Sequence, residues 1–342
     1  MTIYREKDAS FDAVKDLTIA VIGYGSQGHA QANMMKKSGL KVVVGLRPGG
    51  KSWENAKNDG FEVLSVADAA KKADIIHILI PDESQKKVYD EDIAPNLKAG
   101  KTLCFSHGFN ISFKRIVPPK NVDVIMIAPK SPGPSEYATY LEGFGVPALL
   151  AVQQDTSGKA KAKALGMAKA MHFTKAGVID LNELECKKQG ISPFDKETFT
   201  DLFGEQSVLC GGVAELIQAS FETMVEGGYP PEMAFFEACH ELKLITDLIY
   251  QGGIEKMYEK VSNTAEYGGR TRGKMVIDRK VVKPVMKKML EDIETGKFAK
   301  EWMDEADAGM PKLKQMRKDE GGNQLQVVGD QLRKLFEKPK KL

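Results

Sequence analysis

The chain is poor in cysteine, tryptophan and long apolar runs, and it carries almost no net charge. Its four cysteines, Cys104, Cys186, Cys210 and Cys239, include no Cys-x-x-Cys pair. Neither a disulfide scaffold nor a zinc ribbon is therefore encoded, and reduced thiols in a cytoplasmic protein are expected. Residues Met1 to Asp8 have no apolar stretch of the kind a secretory signal needs. The longest apolar runs, such as Ile75–Ile80 and Val146–Val152, fall far short of the ~20 residues that span a bilayer, so no membrane partner is expected. Lys and Arg number 49 against 47 Asp and Glu, a net charge of +2, which gives no nucleic-acid footprint. What is present is apolar content for a core: 42% hydrophobic residues, including 15 Phe and 15 Met, exclude general disorder. At about 150 residues per domain, a chain of this length predicts two domains.

The two halves read differently. Leu17–Ile22, Val42–Leu46, Ile75–Ile80, Thr102–Phe105, Val122–Ile127 and Ala148–Val152 are short strand-like runs, several of them β-branched. Helix-like stretches such as His29–Ser38, Trp53–Asn58 and Ser84–Asp90 separate them, which predicts an α/β domain with a parallel sheet covered on both faces. From about Lys196 the period-2 pattern vanishes, and Asp201–Val225, Glu232–Tyr250, Pro284–Glu294 and Leu325–Phe336 carry helical spacing. The polar Asp180–Lys196 segment, with Gly190 and Pro193, marks the link; the domains are expected at 1–192 and 193–338, with the tail from Lys338 to Leu342 solvated.

Leu17–Ile22 runs directly into Gly23-Tyr24-Gly25-Ser26-Gln27-Gly28, a GxGxxG word between a strand and a helix. In a dinucleotide fold the first glycine makes the turn, the second lets a pyrophosphate approach and the third lets helix pack on strand. The next strand ends in Arg47 rather than the acid that binds a free ribose, and the loop through Lys51 and Ser52 has no acid. Those three residues suit a 2′-phosphate; an exposed basic turn is the plainer alternative. Two further segments follow predicted strands, where open α/β sheets bind ligands: Ser106-His107-Gly108-Phe109-Asn110 and Lys130-Ser131-Pro132-Gly133. A structural His and a solvated Lys compete with an active-site reading there.

In the helical half, Asp201 with Glu205 and Glu237 with Glu241 are acid pairs at i,i+4, each on one helix face. Glu237 and Glu241 stand among Phe235, Phe236, Ala238 and Leu242, where burial would be costly without a partner. Oxygen donors without His or Cys favour Mg²⁺, while solvated acidic faces are the common alternative.

Over nearly its full length the chain resembles the class I, short form of ketol-acid reductoisomerase. The resemblance rests on Gly23–Gly28, Ser106-His-Gly-Phe-Asn-Ile111, Ala128-Pro-Lys130, Thr200-Asp-Leu-Phe-Gly-Glu-Gln206, Ser220–Val225, Glu232–Leu244 and Ser262-Asn-Thr-Ala-Glu-Tyr-Gly268, in that order. It implies a Rossmann-type domain followed by an all-α domain of the knotted type, and a homodimer whose sites use helices of both copies. It implies cofactor contacts at Gly23, Tyr24, Gly25, Ser26, Gln27, Gly28, Arg47, Ser52, Asp82, Glu83, Ser84, Gln85 and Gly133. His107 and Lys130 are then the expected catalytic residues, Asp201, Glu205, Glu237 and Glu241 the ligands of two Mg²⁺, and Ser262 a substrate contact. The implied reaction is alkyl migration in 2-acetolactate or 2-aceto-2-hydroxybutyrate followed by reduction with NADPH, NADH serving less well, on the route to valine, leucine and isoleucine. The chain departs from the family in a longer Asp180–Lys196 link, in Gly50 and Ser131, and in Phe199 where the family has an acid. A metal-free β-hydroxyacid dehydrogenase and a non-catalytic NADPH-binding protein are the competing readings; neither needs the four acids.

Overall fold

The computed structural model describes residues 1–336; the tail from Lys338 lies outside them, as do the last two residues of the expected 193–338 domain. The chain forms two compact units, Met1–Thr200 and Asp201–Leu342. The division falls within a helix and later than the expected 192/193 boundary. The first turns of that helix belong to the sheet unit because Phe194, Glu197 and Thr198 are buried there.

The first unit is built on nine strands: β1 (Ile3–Tyr4), β2 (Thr18–Ile22), β3 (Lys41–Gly45), β4 (Glu62–Leu64), β5 (Ile75–Ile78), β6 (Thr102–Phe105), β7 (Asp123–Pro129), β8 (Ala148–Gln154) and β9 (Val178–Asp180). Their order across the sheet is β1-β9-β8-β7-β6-β5-β2-β3-β4. From β4 to β7 all pairings are parallel; Ile19 of β2, for example, faces Val42 on one side and Ile75 on the other. Alternate residues of β2 feed different core layers. Val21 joins Met34, Met35 and Met167, whereas Ala20 and Ile22 join Ala69, Ile93 and Phe194. Burial on both faces explains why these strands read as unbroken Val/Ile runs.

The expectation of a wholly parallel sheet needs correction at its far edge. β8 runs antiparallel to β7, and β1 antiparallel to β9. The chain leaves β7 and returns to the sheet from the same end, and Lys130 N–H donates to Pro147 O at 2.9 Å to close the ladder. Strands β1, β4 and β9, of two or three residues each, carry too little pattern to be read from sequence.

Along the chain, β2 is followed by helix α1 (Ser26–Lys37), β3 by α2 (Lys51–Asn58), β4 by α3 (Val66–Lys72), β5 by α4 (Asp82–Val88), β6 by the short α5 (Phe109–Ser112) and β7 by α6 (Gly133–Leu141). Successive connections from β2 place β3 and β4 to one side and β5 to β7 to the other. The order therefore reverses between β2 and β5, where such sheets open a crevice at their carboxyl ends.

The second unit is helical among its described residues. It comprises Gly211–Glu226, Pro231–Phe235, Glu241–Lys260, Asn263–Val276, Arg279–Glu294, Lys297–Asp307, Pro311–Gly321 and Gln324–Phe336. Among its described residues, one core cluster gathers Phe221, Ala234, Phe235 and Val328, and Ile293, Ala299 and Met303 are also buried. Leu209, Tyr250, Ile254, Met275 and Val281 are exposed. The Pro193–Glu226 helix of 34 residues is, by length and composition, enough to cross a membrane: its most apolar 18-residue window has a mean hydropathy of 1.3, and only 6% of that window is buried. Uninterrupted apolar runs do not reveal it, because single acids and glycines break it up.

Candidate active site

The glycine turn after β2 is shaped by close contacts. Gly23 adopts φ +103°, and a Cβ there would stand 2.6 Å from Leu79 O, just beyond the end of β5 across the switch point. A Cβ on Gly28 would stand 2.4 Å from Gly23 O. Gly25 differs: its backbone (φ −82°, ψ −154°) suits any residue, and a Cβ would meet nothing within 4 Å. Packing does not require a glycine at 25. The space beside it lies at the N-terminus of α1, which no side chain caps and where backbone N–H groups and the helix dipole favour phosphate.

The expected cofactor residues gather around this turn, with differing employment. Tyr24 points inward: its hydroxyl donates to Asp59 Oδ2 (2.6 Å) and accepts from Asn33 Nδ2 (2.9 Å). Burial and the Asp59 carboxylate push its phenol above the ordinary range, so only its backbone faces the turn. Gln27 Nε2 donates to Ser131 O (3.2 Å) and its Oε1 accepts from Gln31 Nε2 (2.7 Å). Gln31 reaches Ser106 Oγ (3.2 Å) and the buried His77 Nε2 (2.7 Å), so a polar line runs beneath the turn from Ser131 to Ser106. Burial lowers the His77 pKa to about 4, which leaves that imidazole neutral. A Cβ on Gly133 would lie 2.4 Å from Ser26 O, so the start of α6 sits against the start of α1.

Arg47, Gly49 (φ +75°) and Lys51 are exposed, Ser52 is half-buried, and Gly50 precedes α2 without a side-chain cap. Asp82, Glu83 and Ser84 open α4. Gln85 is buried and acts as a clamp: its Nε2 donates to Ile80 O (2.9 Å) and its Oε1 accepts from Asn110 Nδ2 (3.1 Å).

His107 and Lys130 come together through a residue that sequence reasoning missed. Glu197, 1% exposed, lies 3.0 Å from His107 Nδ1 through Oε2 and 2.9 Å from Lys130 Nζ through Oε1. Its Oε2 also accepts the Gly108 N–H at 3.2 Å. Burial alone would raise this carboxyl, but His107 and Lys130 more than offset it and hold it below the usual carboxylate range. The helix carrying it packs closely, since a Cβ on Gly108 would stand 2.3 Å from Thr198 Oγ1. The signal was available: Glu197 precedes Asp201 by four residues, the spacing that singled out the other acids.

In the second unit both acid pairs straddle π-helical turns. Glu205–Leu209 follows Asp201, and Phe236–His240 contains Glu237 and ends before Glu241. Such turns are enriched at functional sites because the inserted residue re-aims neighbouring side chains. The burial feared for Glu237 and Glu241 is not found: both are exposed, as is Glu205, while Asp201 is half-buried. Among the described residues the four carboxylates do not converge on one point. Ser262 caps Asn263–Val276, its Oγ accepting the Ala265 N–H at 3.1 Å. The donor set is all hard oxygen, which fits Mg²⁺, and each pair alone leaves a coordination shell incomplete.

Comparison with known proteins bears on this arrangement. Residues 13–177 match the family model "Acetohydroxy acid isomeroreductase, NADPH-binding domain", and residues 194–338 match "Ketol-acid reductoisomerase, C-terminal domain". A ketol-acid reductoisomerase (NADP(+)) of Methanocaldococcus jannaschii is 57% identical over 333 residues, 97% of each chain. A ketol-acid reductoisomerase (NAD(+)) of the uncultured archaeon GZfos26G2 is 55% identical over 341 residues, 98% of this chain and 99% of its own. The solved structure of an NADH-preferring ketol-acid reductoisomerase from an uncultured archean superposes with a TM-score of 0.92 at 54% identity, covering 99% of this chain and 100% of that one.

Proposed function

The chain belongs to the ketol-acid reductoisomerase family, and from that premise we propose how its own residues share the work. The activity is the isomeroreduction of a 2-hydroxy-2-acyl acid such as 2-acetolactate, with a nicotinamide dinucleotide as reductant, in branched-chain amino acid biosynthesis. The glycine turn and the start of α1 bind the dinucleotide phosphates. Ser106 and His107, just beyond the carboxyl end of β6, would line the nicotinamide end of the site. Asp201, Glu205, Glu237 and Glu241 hold the two Mg²⁺, which when bound polarise the substrate's hydroxyl and ketone oxygens.

The observation that carries this reading is Glu197 joining His107 and Lys130 at the mouth of the sheet. One buried carboxylate holds an imidazole and an ammonium group at the same crevice. Lys130, as an ammonium ion, steadies the oxygen on which charge develops during alkyl migration and supplies its proton after hydride transfer. His107 shapes the wall between nicotinamide and substrate. Acetolactate-dependent oxidation of NADPH, measured with and without Mg²⁺, tests the whole reading. Turnover without any divalent ion would remove the metal assignment, and no turnover with Mg²⁺ would remove the substrate.

Glu197→Gln keeps the shape but loses the charge that both partners need. Charge-assisted hydrogen bonds contribute about 1.5–3 kcal/mol, so kcat should fall by about ten- to a hundredfold with little change in cofactor affinity. The sign with pH follows from the lowered carboxyl. Its contribution to stability is in place above the ordinary carboxylate range and is lost only as pH falls through the depressed folded-state value. Wild-type kcat should therefore keep this contribution well into mild acid; a Glu197→Gln enzyme with unchanged kcat would exclude Glu197 from the site.

The second copy of the chain belongs to this reading. The Pro193–Glu226 helix is apolar yet largely uncovered, and Tyr250, Ile254 and Met275 are exposed beside it in sequence order. An apolar surface of this extent in a soluble biosynthetic enzyme is covered by a partner. A homodimer supplies that cover and brings the second acid pair to the first.

A further inference from the structure

Glu136 lies on α6, one turn beyond Gly133, and is 1% exposed. Neither carboxyl oxygen finds a hydrogen-bond partner with good geometry. Its polar neighbour is Gln27, in the middle of the glycine turn. The titratable groups on the surrounding elements are already committed elsewhere. On α1, His29 lies 3.5 Å from Asp59 and edge-on to Tyr137. On α6, Tyr140 packs at a tilt against His172 and shares a hydrogen bond with Ser38. Tyr24 is bound to Asp59 and Asn33. No cation faces the carboxyl among the described residues. A buried acid without a counter-charge persists as the neutral form, because ionising it would strand a charge in an apolar medium.

Gln27 has few ways to hold its place. Its amide nitrogen donates to Ser131 O, its oxygen is taken by Gln31, and the remaining amide hydrogen faces Glu136. We propose that Glu136 is a positioning residue for the dinucleotide: as the uncharged acid it steadies Gln27, and through Gln27 the Ser26–Gly28 backbone on which the phosphates rest. Losing its proton places an uncompensated negative charge beneath that same turn, facing the phosphates. Cofactor affinity is thereby tied to the protonation state of a residue that touches no cofactor atom. The proposal rests on the dinucleotide lying at the glycine turn, as set out above.

The test is the Kd of NADPH, read directly by calorimetry on the enzyme free of substrate, from pH 6.5 to 9.5. Burial pushes the Glu136 carboxyl up to about 8. If the ionised form does not bind, Kd should rise about tenfold by pH 9. Glu136→Gln cannot ionise, so its Kd should stay flat across the range and match wild type at pH 7. A purely structural contribution would shift Kd equally at every pH and leave the profile unchanged. A flat wild-type profile overturns the proposal, and so does a rise that Glu136→Gln retains. Gly25→Val separates this from the placement of the dinucleotide. The backbone there accepts a side chain and the space beside it is open. The variant should fold normally and lose NADPH binding if the phosphates use that space. Wild-type affinity in Gly25→Val would sink the cofactor placement itself, whereas lost affinity there with a flat wild-type profile sinks only the assignment of Glu136.

Discussion

Asp201→Ala and Glu237→Ala enzymes, each inactive alone, are expected to regain activity when the two chains are expressed together. Each substitution removes a carboxylate from a site that takes hard oxygen ligands, and metal activation supplies several kcal/mol, so each pure variant should lose at least about two orders of magnitude in kcat. Among the described residues, no three of the Asp201, Glu205, Glu237 and Glu241 carboxylates gather within 4.8 Å of one another in one chain. In a two-fold dimer, the first pair of one copy can face the second pair of the other. A mixed dimer then holds one site with all four acids and one site lacking two. Random assembly makes half the dimers mixed, so about a quarter of wild-type activity should return. If all four ligands came from one chain, every site in the mixture would lack a ligand and nothing would return. Light scattering on the wild-type enzyme gives the second arm: full activity in a particle of monomer mass would contradict the shared site.

Much of this was legible in the sequence, for reasons that differ by residue. Gly23 and Gly28 were readable because packing leaves no room for a Cβ, a constraint that local sequence expresses directly. Strands β2, β3, β5, β6 and β7 were readable because burial on two faces enforces apolar runs. The acid pairs stand out in the sequence because like charges at i,i+4 oppose a bare helix and so invite a reason.

Glu197 was not read, although its spacing to Asp201 matches theirs. Its partners, His107 and Lys130, lie 90 and 67 residues away in the chain, and only the packing of the Pro193–Gly204 helix against Gly108 brings them together. Glu136 was invisible for a related reason. The sequence around it, Pro134-Ser135-Glu136-Tyr137, looks like the polar start of an ordinary helix, and its burial follows from α6 lying across α1. The strand β8 was read but its antiparallel direction was not, because a strand's direction is set by where its connection returns, and its own pattern does not record that.

The second large effect concerns the reductant. Relatives at 57% and 55% identity are named for NADP(+) and NAD(+) respectively, so overall similarity does not decide which dinucleotide this chain prefers. We propose that the loop after β3 does. An acid at the strand end would accept hydrogen bonds from the two ribose hydroxyls and repel a 2′-phosphate of roughly two negative charges. Here the strand is followed by Arg47, and Lys51 and Ser52 occupy the first turn of α2, whose uncapped N-terminus adds a positive dipole end. Gly50 supplies no hydroxyl, and Arg47 is exposed, so water and salt weaken its grip. NADPH should still be preferred, by a margin that shrinks as ionic strength rises. Arg47→Asp with Ser52→Asp replaces a cation and a neutral donor by two carboxylates. Two contacts of about 1.5 kcal/mol each, plus the new repulsion, should lower kcat/KM for NADPH by a hundredfold or more. NADH, lacking the phosphate, should lose little and gain a ribose acceptor. The measurement is kcat/KM for both cofactors in wild type and variant at two salt concentrations. Equal values in wild type, or an unchanged ratio in the variant, would show that the phosphate is chosen elsewhere on the chain.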